Sequence, residues 1–111
     1  MRGCLIAIEL CALIVSAAIP QPTGQVALIE FVQPSCRPCR EMAPIVERLE
    51  REGTLIIRLD ARTDAAVSVL GVTKTPAFFA VTRTGREAGR INGSTTEIKL
   101  RALVRKAESK E

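Results

Sequence analysis

The sequence contains no histidine, tryptophan or tyrosine, and its aromatic residues are three phenylalanines. Proteins that bind single-stranded nucleic acid stack the bases on aromatic side chains, so this scarcity argues against a nucleic-acid partner. A structural zinc site needs about four Cys or His ligands in one place. The chain has four cysteines, but Cys4 and Cys11 lie in an apolar N-terminal run. No metal site is therefore predicted.

The remaining composition is that of one folded domain. Hydrophobic residues make up 47% of the 111 residues and charged residues 25%, which excludes a disordered chain and leaves no room for a second domain. The net charge is +4. We interpret the basic residues as a solvated surface that would favour acidic partners or membrane headgroups.

The N-terminal segment has the composition of an export signal. Residues Cys4–Ile19 are apolar apart from Glu9 and Ser16, with Arg2 before them and the linker-like Pro20–Gly24 after them. Glu9 and the short length argue against a spanning helix, and the alternative is a packed helix of a cytoplasmic protein. The predicted parts are a signal peptide or short membrane anchor at residues 1–19, a linker at 20–25 and a globular domain at 26–111.

A C-x-x-C motif organises the globular part. Cys36 and Cys39 follow the apolar, strand-like run Val26–Val32 and open a helix-patterned segment. The positive end of a helix, with Arg37 and Arg40 nearby, stabilises a thiolate, which makes Cys36 the candidate nucleophile. Cys39, about one turn further on, is the natural resolving thiol, able to attack a mixed disulfide on Cys36. Two inert structural cysteines are the alternative.

Hydrophobic periodicity predicts four strands. The second is predicted as a buried strand parallel to the first, because a helical crossover separates them, and the fourth as a polar edge strand. The predicted strands are Val26–Val32, Leu55–Leu59, Ala77–Thr82 and Glu87–Ile91.

Helical patterns fill the segments between and after the strands. The first helix follows Cys36, bends at Pro44 and ends at Gly53. A short helix is predicted at Asp64–Leu70, and a capping box at Ser94–Glu97 is predicted to open the last helix. The predicted inward face of this last helix consists of Leu100, Leu103, Val104 and Ala107.

This order of elements and motifs resembles the thioredoxin-like thiol–disulfide oxidoreductases. The resemblance covers about residues 26–106 and implies an α/β fold with a central mixed sheet of about four strands flanked by helices. Its marks are the redox motif Ser35–Cys39, the proline at position 44, the loop Gly-Val-Thr-Lys-Thr-Pro at residues 71–76, and an acidic residue, Glu30, six positions before the first cysteine.

The resemblance implies a substrate groove beside the redox pair. Pro76 would be cis and would leave the backbone of Thr75 open next to Cys36, where an extended substrate chain can pair with it. An ordinary trans turn is the alternative for this proline. Thr75, Pro76, Arg37 and Pro38 are thus the predicted substrate-binding residues, and Arg37 either lowers the pKa of Cys36 or is simply a solvated charge.

Two further positions bear on the chemistry. Burial in an apolar strand would raise the pKa of Glu30, which suits a proton acceptor for Cys39. The alternative is a carboxylate at a strand end that is paired with an arginine. Ser35 stands where the family often has tryptophan, so the substrate contact near Cys36 is predicted to be less apolar.

The sequence therefore predicts a monomeric enzyme of cell redox homeostasis that exchanges disulfides with protein thiols. The redox group is the Cys36–Cys39 disulfide, and no metal, nucleotide or haem is called for. The expected location is outside the cytoplasm, exported or tethered, with a membrane electron donor if the role is reductive; the direction stays open. The alternative function is a binding module of the same fold whose cysteines form a static disulfide.

Overall fold

The computed structural model describes residues 24–110. The predictions for residues 1–23, including the export segment with Cys4 and Cys11, lie outside the described residues. Within residues 24–110 no helix combines the length and the apolar character needed to span a bilayer. The elements are β1 (Ala27–Val32), α1 (Arg37–Arg51), β2 (Leu55–Asp60), α2 (Ala66–Leu70), β3 (Ala77–Val81), β4 (Glu87–Asn92) and α3 (Glu97–Ser109).

The strands form one mixed sheet in the order β2-β1-β3-β4. β1 pairs in parallel with β2 and antiparallel with β3, and β4 runs antiparallel to β3 with a register shift at Ala80/Val81. The predicted mixed sheet of four strands is confirmed, as is the edge position of β4. The prediction of a buried second strand is wrong, because β2 lies at the other edge and its residues are half-buried or, at Arg58, exposed.

Side chains that alternate along the strands build a separate core on each face of the sheet. Leu28 and Phe78 face α1 and α3, where they pack with residues such as Val46 and Leu100. The other face packs against α2. There Phe31 and Phe79 meet edge to face, with ring centroids 5.6 Å apart, and are buried with Ile29, Ala66, Ala77 and Val81. Glu30, between Leu28 and Val32, shares the α1 face by this alternation.

α1 forms where the sequence predicts it. Cys36 is its N-cap residue, Pro38 lies in the first turn where its missing N–H costs nothing, and Pro44 lies on the exposed side. The helix ends before Gly53, which adopts φ +104°, a backbone conformation that favours glycine. The buried face consists of Cys39, Met42, Val46 and Leu49.

α3 begins later than the sequence predicts. Its N-cap is Thr96, whose Oγ1 accepts a hydrogen bond from the backbone N–H of Lys99 at 3.2 Å, so the predicted cap at Ser94 is wrong. The chain around Gly93 is still held at the sheet, because its N–H donates to the carbonyl of Pro76 at 2.7 Å. The predicted inward face is confirmed, with Leu100, Leu103, Val104 and Ala107 all buried.

α2 is shorter than predicted and starts at Ala66 rather than Asp64. The Asp64 carboxylate accepts a hydrogen bond from the backbone N–H of Ala66 at 2.9 Å, so Asp64 lies in the turn before the helix. Gly71 ends the helix with φ +69°. The following segment leads to the loop that faces the C-x-x-C motif.

Candidate active site

The turn between β1 and α1 presents the first cysteine. Pro34 and Ser35 form this turn, and Ser35 adopts φ +62°, in the left-handed region. Cys36 follows in an extended conformation with φ −91° and ψ 102° and caps the helix. Its Sγ accepts a hydrogen bond from the backbone N–H of Cys39 at 3.2 Å. The sulfur therefore lies at the positive end of α1.

The two cysteines are joined and differ in exposure. Their sulfurs form a disulfide, and their Cα atoms are 5.2 Å apart. Cys36 is half-buried, whereas Cys39 is only 8% exposed because it lies on the inward face of α1. An incoming protein thiol or disulfide can therefore reach the sulfur of Cys36 far more readily than that of Cys39.

The loop before β3 lies against the first sulfur. The Thr75–Pro76 peptide bond is cis. The Thr75 hydroxyl donates a hydrogen bond to Cys36 Sγ at 3.5 Å, and Pro76 is buried beneath it. Thr75 and Pro76, which the family resemblance assigned to substrate binding, thus meet the redox pair although they are 39 and 40 positions further along the chain than Cys36.

Arg37 and Pro38 are both exposed at the rim of the site. The Arg37 side chain is 82% exposed and forms an ion pair with Glu41 at 3.2 Å, one helical turn further on. An exposed pair of this kind contributes little to stability, about 0.3–0.5 kcal/mol. The structure therefore places Arg37 as a solvated charge beside Cys36.

Glu30 lies on the sheet beneath α1 and is 2% exposed. Its carboxylate is 3.4 Å from Nε of Arg58, the residue in register with it on β2. Burial raises the pKa of Glu30, and the Arg58 guanidinium opposes the shift without cancelling it. The arginine partner of the alternative interpretation is present, although Glu30 lies inside β1 rather than at its end, and the carboxylate still holds a proton more tightly than an exposed glutamate does.

Sequence reasoning did not find the part played by Arg58 and Glu50. Arg58 extends past Glu30, and its two terminal nitrogens approach the Glu50 carboxylate at 3.5 Å. The available signal was a single arginine inside the apolar strand Leu55–Asp60. With parallel pairing of β1 and β2, a residue at this position can face Glu30.

A surface cavity of about 440 Å³ connects these groups. It brings the redox sulfurs and the buried carboxylate to one space beside exposed charged side chains. Its functional lining includes Glu30, Cys36, Cys39, Arg40, Glu50 and Arg58. Within residues 24–110 no group of three or more His, Cys, Asp or Glu side chains is arranged to hold a metal ion.

A disulfide whose first sulfur caps a helix at the surface can exchange with the thiols of other molecules, which is the chemistry of a thiol–disulfide oxidoreductase. The thioredoxin family model matches residues 16–106, which is most of the chain. The chain therefore belongs to the thioredoxin family, and it is a thiol–disulfide oxidoreductase as the members of that family generally are.

Solved structures of thioredoxins resemble this chain over nearly its whole length. Thioredoxin of Fasciola hepatica is 29% identical, with 91% of this chain and 93% of that chain covered and a TM-score of 0.68. Thioredoxin f from spinach chloroplast, in its short form, is 25% identical, covers 87% of this chain and 85% of its own, and also has a TM-score of 0.68. Schistosoma mansoni thioredoxin, at 18% identity and a TM-score of 0.67, covers 88% of this chain and 89% of its own and shares the fold. A search of curated proteins finds no match.

Proposed function

We propose that Cys36 is the attacking sulfur and Cys39 the resolving sulfur in disulfide exchange with proteins. In the reductive direction the Cys36 thiolate attacks a substrate disulfide, forms a mixed disulfide and releases one substrate thiolate. Cys39 then loses its proton, attacks Cys36 Sγ and expels the second substrate sulfur. Two electrons pass to the substrate, and the Cys36–Cys39 disulfide remains. The oxidative direction is the same sequence reversed.

The difference in exposure between the two sulfurs carries this assignment. Cys36 is half-buried at the protein surface, and Cys39 is 8% exposed. The N-terminus of α1 and the backbone N–H of Cys39 stabilise negative charge on Cys36. The Thr75 hydroxyl, 3.5 Å from the sulfur, adds a second donor. These groups favour a depressed pKa for the Cys36 thiol in the reduced protein.

Glu30 is the proposed acceptor of the Cys39 proton. The carboxylate and Cys39 line the same cavity, and burial raises the pKa of Glu30 toward the range in which a base can take a proton and later return it. Arg58 keeps the carboxylate from being protonated permanently, because it favours the charged form. The proton leaves by way of the cavity once the substrate has departed.

The substrate is a protein segment in extended conformation. Its backbone would pair with that of Thr75 beside Pro76, while Arg37 and Pro38 contact it from the helix side. This arrangement would bring the substrate sulfur to Cys36. The family acts on protein disulfides in general, which supports protein thiols and disulfides as the partners.

Insulin turnover with dithiothreitol as electron source tests the main assignment. Cys36→Ser should abolish turnover, whereas reduced Cys39→Ser, mixed with insulin after dithiothreitol has been removed, should accumulate a mixed disulfide that is visible on a non-reducing gel. Unchanged turnover in Cys36→Ser would contradict the proposal. A Cys36–Cys39 disulfide that resists dithiothreitol in the unsubstituted chain would instead favour a binding module with a static disulfide.

We propose further that the protein works as a monomer outside the cytoplasm, exported or held at a membrane, with no cofactor beyond its own disulfide. The apolar run Cys4–Ile19 between Arg2 and Pro20 supports this location. A reducing role there would need electrons from a membrane protein. Fractionation of cells that express the full chain tests the location, and recovery in the cytosolic fraction would contradict it.

A further inference from the structure

Three cationic residues belong to the helix and the loop that contact the first sulfur, and we call Arg37, Arg40 and Lys74 the basic rim. Arg37 follows Cys36 directly. Arg40, whose backbone N–H donates to the Cys36 carbonyl at 3.2 Å, lines the cavity on one side of the sulfur. Lys74 precedes Thr75, whose hydroxyl contacts the sulfur, on the loop that faces Cys36.

Lys74 is held in place by a glycine. Gly93 adopts φ +88°, and its N–H donates to the Pro76 carbonyl at 2.7 Å. A Cβ at position 93 would lie 3.3 Å from Cε of Lys74 and 3.5 Å from its Nζ. The lysine stem therefore lies over the bare glycine backbone, and its ammonium group stays beside the loop that contacts Cys36.

The charge of the basic rim is only partly compensated. Arg37 pairs with Glu41. Among residues 24–110, neither Arg40 nor Lys74 takes part in an ion pair, whereas Arg48, Arg62, Arg90 and Arg101 do. Arg40 and Lys74 are thus cations near Cys36 without an ion-pair partner in this part of the chain, and Glu47 and Glu50, which line the same cavity, lie further along α1, about 10–15 Å from Arg40 along the helix.

We propose that the site selects protein disulfides whose cysteines are flanked by Asp or Glu, an inference that rests on the proposed function. A segment lying along Thr75 with its sulfur at Cys36 would carry its next residues past Lys74 on one side and Arg40 on the other. Complementary charge at these positions speeds encounter and fixes the orientation of the segment. Ser35 offers no aromatic surface in their place, so charge is the main feature that a substrate can recognise.

Peptides with one internal disulfide, flanked by Glu, Gln or Lys but otherwise identical, provide the test. The rate constant for reduction by the full, reduced chain should be greatest for the Glu peptide and least for the Lys peptide. Because each exposed charge pair is worth about 1.5- to fivefold, we expect the Glu peptide to exceed the Gln peptide about threefold to tenfold in low salt. The preference should nearly vanish at about 1 M salt, where the Debye length is about 3 Å.

The double variant Lys74→Gln/Arg40→Gln should bring the three rates together; each rate is divided by that of the Gln peptide, so that any effect of losing Arg40 on the Cys36 thiolate cancels. Arg105→Gln is the matched control: it removes a cation near the C-terminal end of α1, about 20 Å from Cys36, and should keep the preference. Equal rates for all three peptides, or a preference that survives the double variant, would overturn the inference and leave the proposed function standing. Failure to reduce any peptide would overturn both.

Discussion

Replacing Glu30 with glutamine tests the proposed proton acceptor most directly. Glutamine keeps the size of a side chain that is 2% exposed but cannot take a proton. The first step, attack by Cys36, should change little, because α1 and both sulfurs stay in place. The second step should slow, because Cys39 must then be deprotonated without a neighbouring base.

The expected loss follows from the thiolate population of Cys39. A free cysteine has a pKa of about 8.5, so about 3% of it is thiolate at about pH 7, which corresponds to a loss of about 30-fold for a step that depends on this population. Cys39 is 8% exposed, and burial raises the pKa of a thiol. Each unit of such a rise would lower the thiolate population about a further tenfold. We expect resolution to slow by about 30- to 300-fold at about pH 7, and the deficit to shrink about tenfold per unit of rising pH.

Stopped-flow reaction of the reduced chain with an aromatic disulfide that releases a coloured thiolate separates the two steps. The first equivalent of colour reports the mixed disulfide on Cys36, and the second reports its resolution by Cys39. Cys39→Ser, which should release the first equivalent alone, identifies the second phase. If the rate constant of the second phase is the same within about twofold for Glu30→Gln and the unsubstituted chain from about pH 6 to pH 9, Glu30 is not the base.

Three further predictions follow from burial and contacts. Burial raises the pKa of Glu30 above its unfolded value of 4.5, so the folded chain loses stability as pH rises from that value. The free energy of unfolding of Glu30→Gln, relative to that of the unsubstituted chain, should therefore increase between about pH 4 and pH 8. Urea unfolding at both pH values measures this, and an equal difference at both would contradict it. Thr75→Val, which removes the hydroxyl 3.5 Å from Cys36 Sγ, should raise the pKa of that thiol in an absorbance titration, whereas an unchanged pKa would show that the hydroxyl does not act on the thiolate. Leu100→Ala should cost about 2–5 kcal/mol in urea unfolding because the side chain is 0% exposed, against less than about 0.5 kcal/mol for Ile98→Ala at 78% exposure, and similar losses would refute this packing.

The parts of the site that are close in sequence could be predicted from the sequence. Cys36 is the N-cap at the exposed end of α1 and Cys39 belongs to the apolar face with Met42, Val46 and Leu49, so their difference in exposure follows once the helix start is known. The position of Thr75 next to Cys36 was predicted from the family resemblance, because no local sequence pattern indicates that a loop this far along the chain reaches Cys36. Arg58 was missed because its contact with Glu30 depends on strand register, and a shift by one residue would turn it to the opposite face.

The same limit explains the errors in the fold. An apolar run such as Leu55–Leu59 has the composition of a central strand, but the order of strands in the sheet is set by crossovers that the run does not encode. The capping error at Ser94 arose from a similar cause. Several consecutive residues there can cap a helix, and the hydrogen bond from Gly93 to Pro76, a tertiary contact, keeps the chain at the sheet until Thr96 takes the cap position.

In the proposed mechanism, the buried carboxylate of Glu30 needs Arg58 at its side to act as the acceptor. Burial alone would raise the pKa of Glu30 and, carried far enough, would leave it protonated and unable to accept the proton of Cys39. A guanidinium stays charged throughout the physiological range, so its opposing effect does not change when Glu30 itself titrates. Arg58 also reaches Glu50 at the cavity mouth, which lets its charge remain paired while Glu30 is neutral. The carboxylate can therefore alternate between its two protonation states without leaving an unpaired cation beside the redox sulfurs.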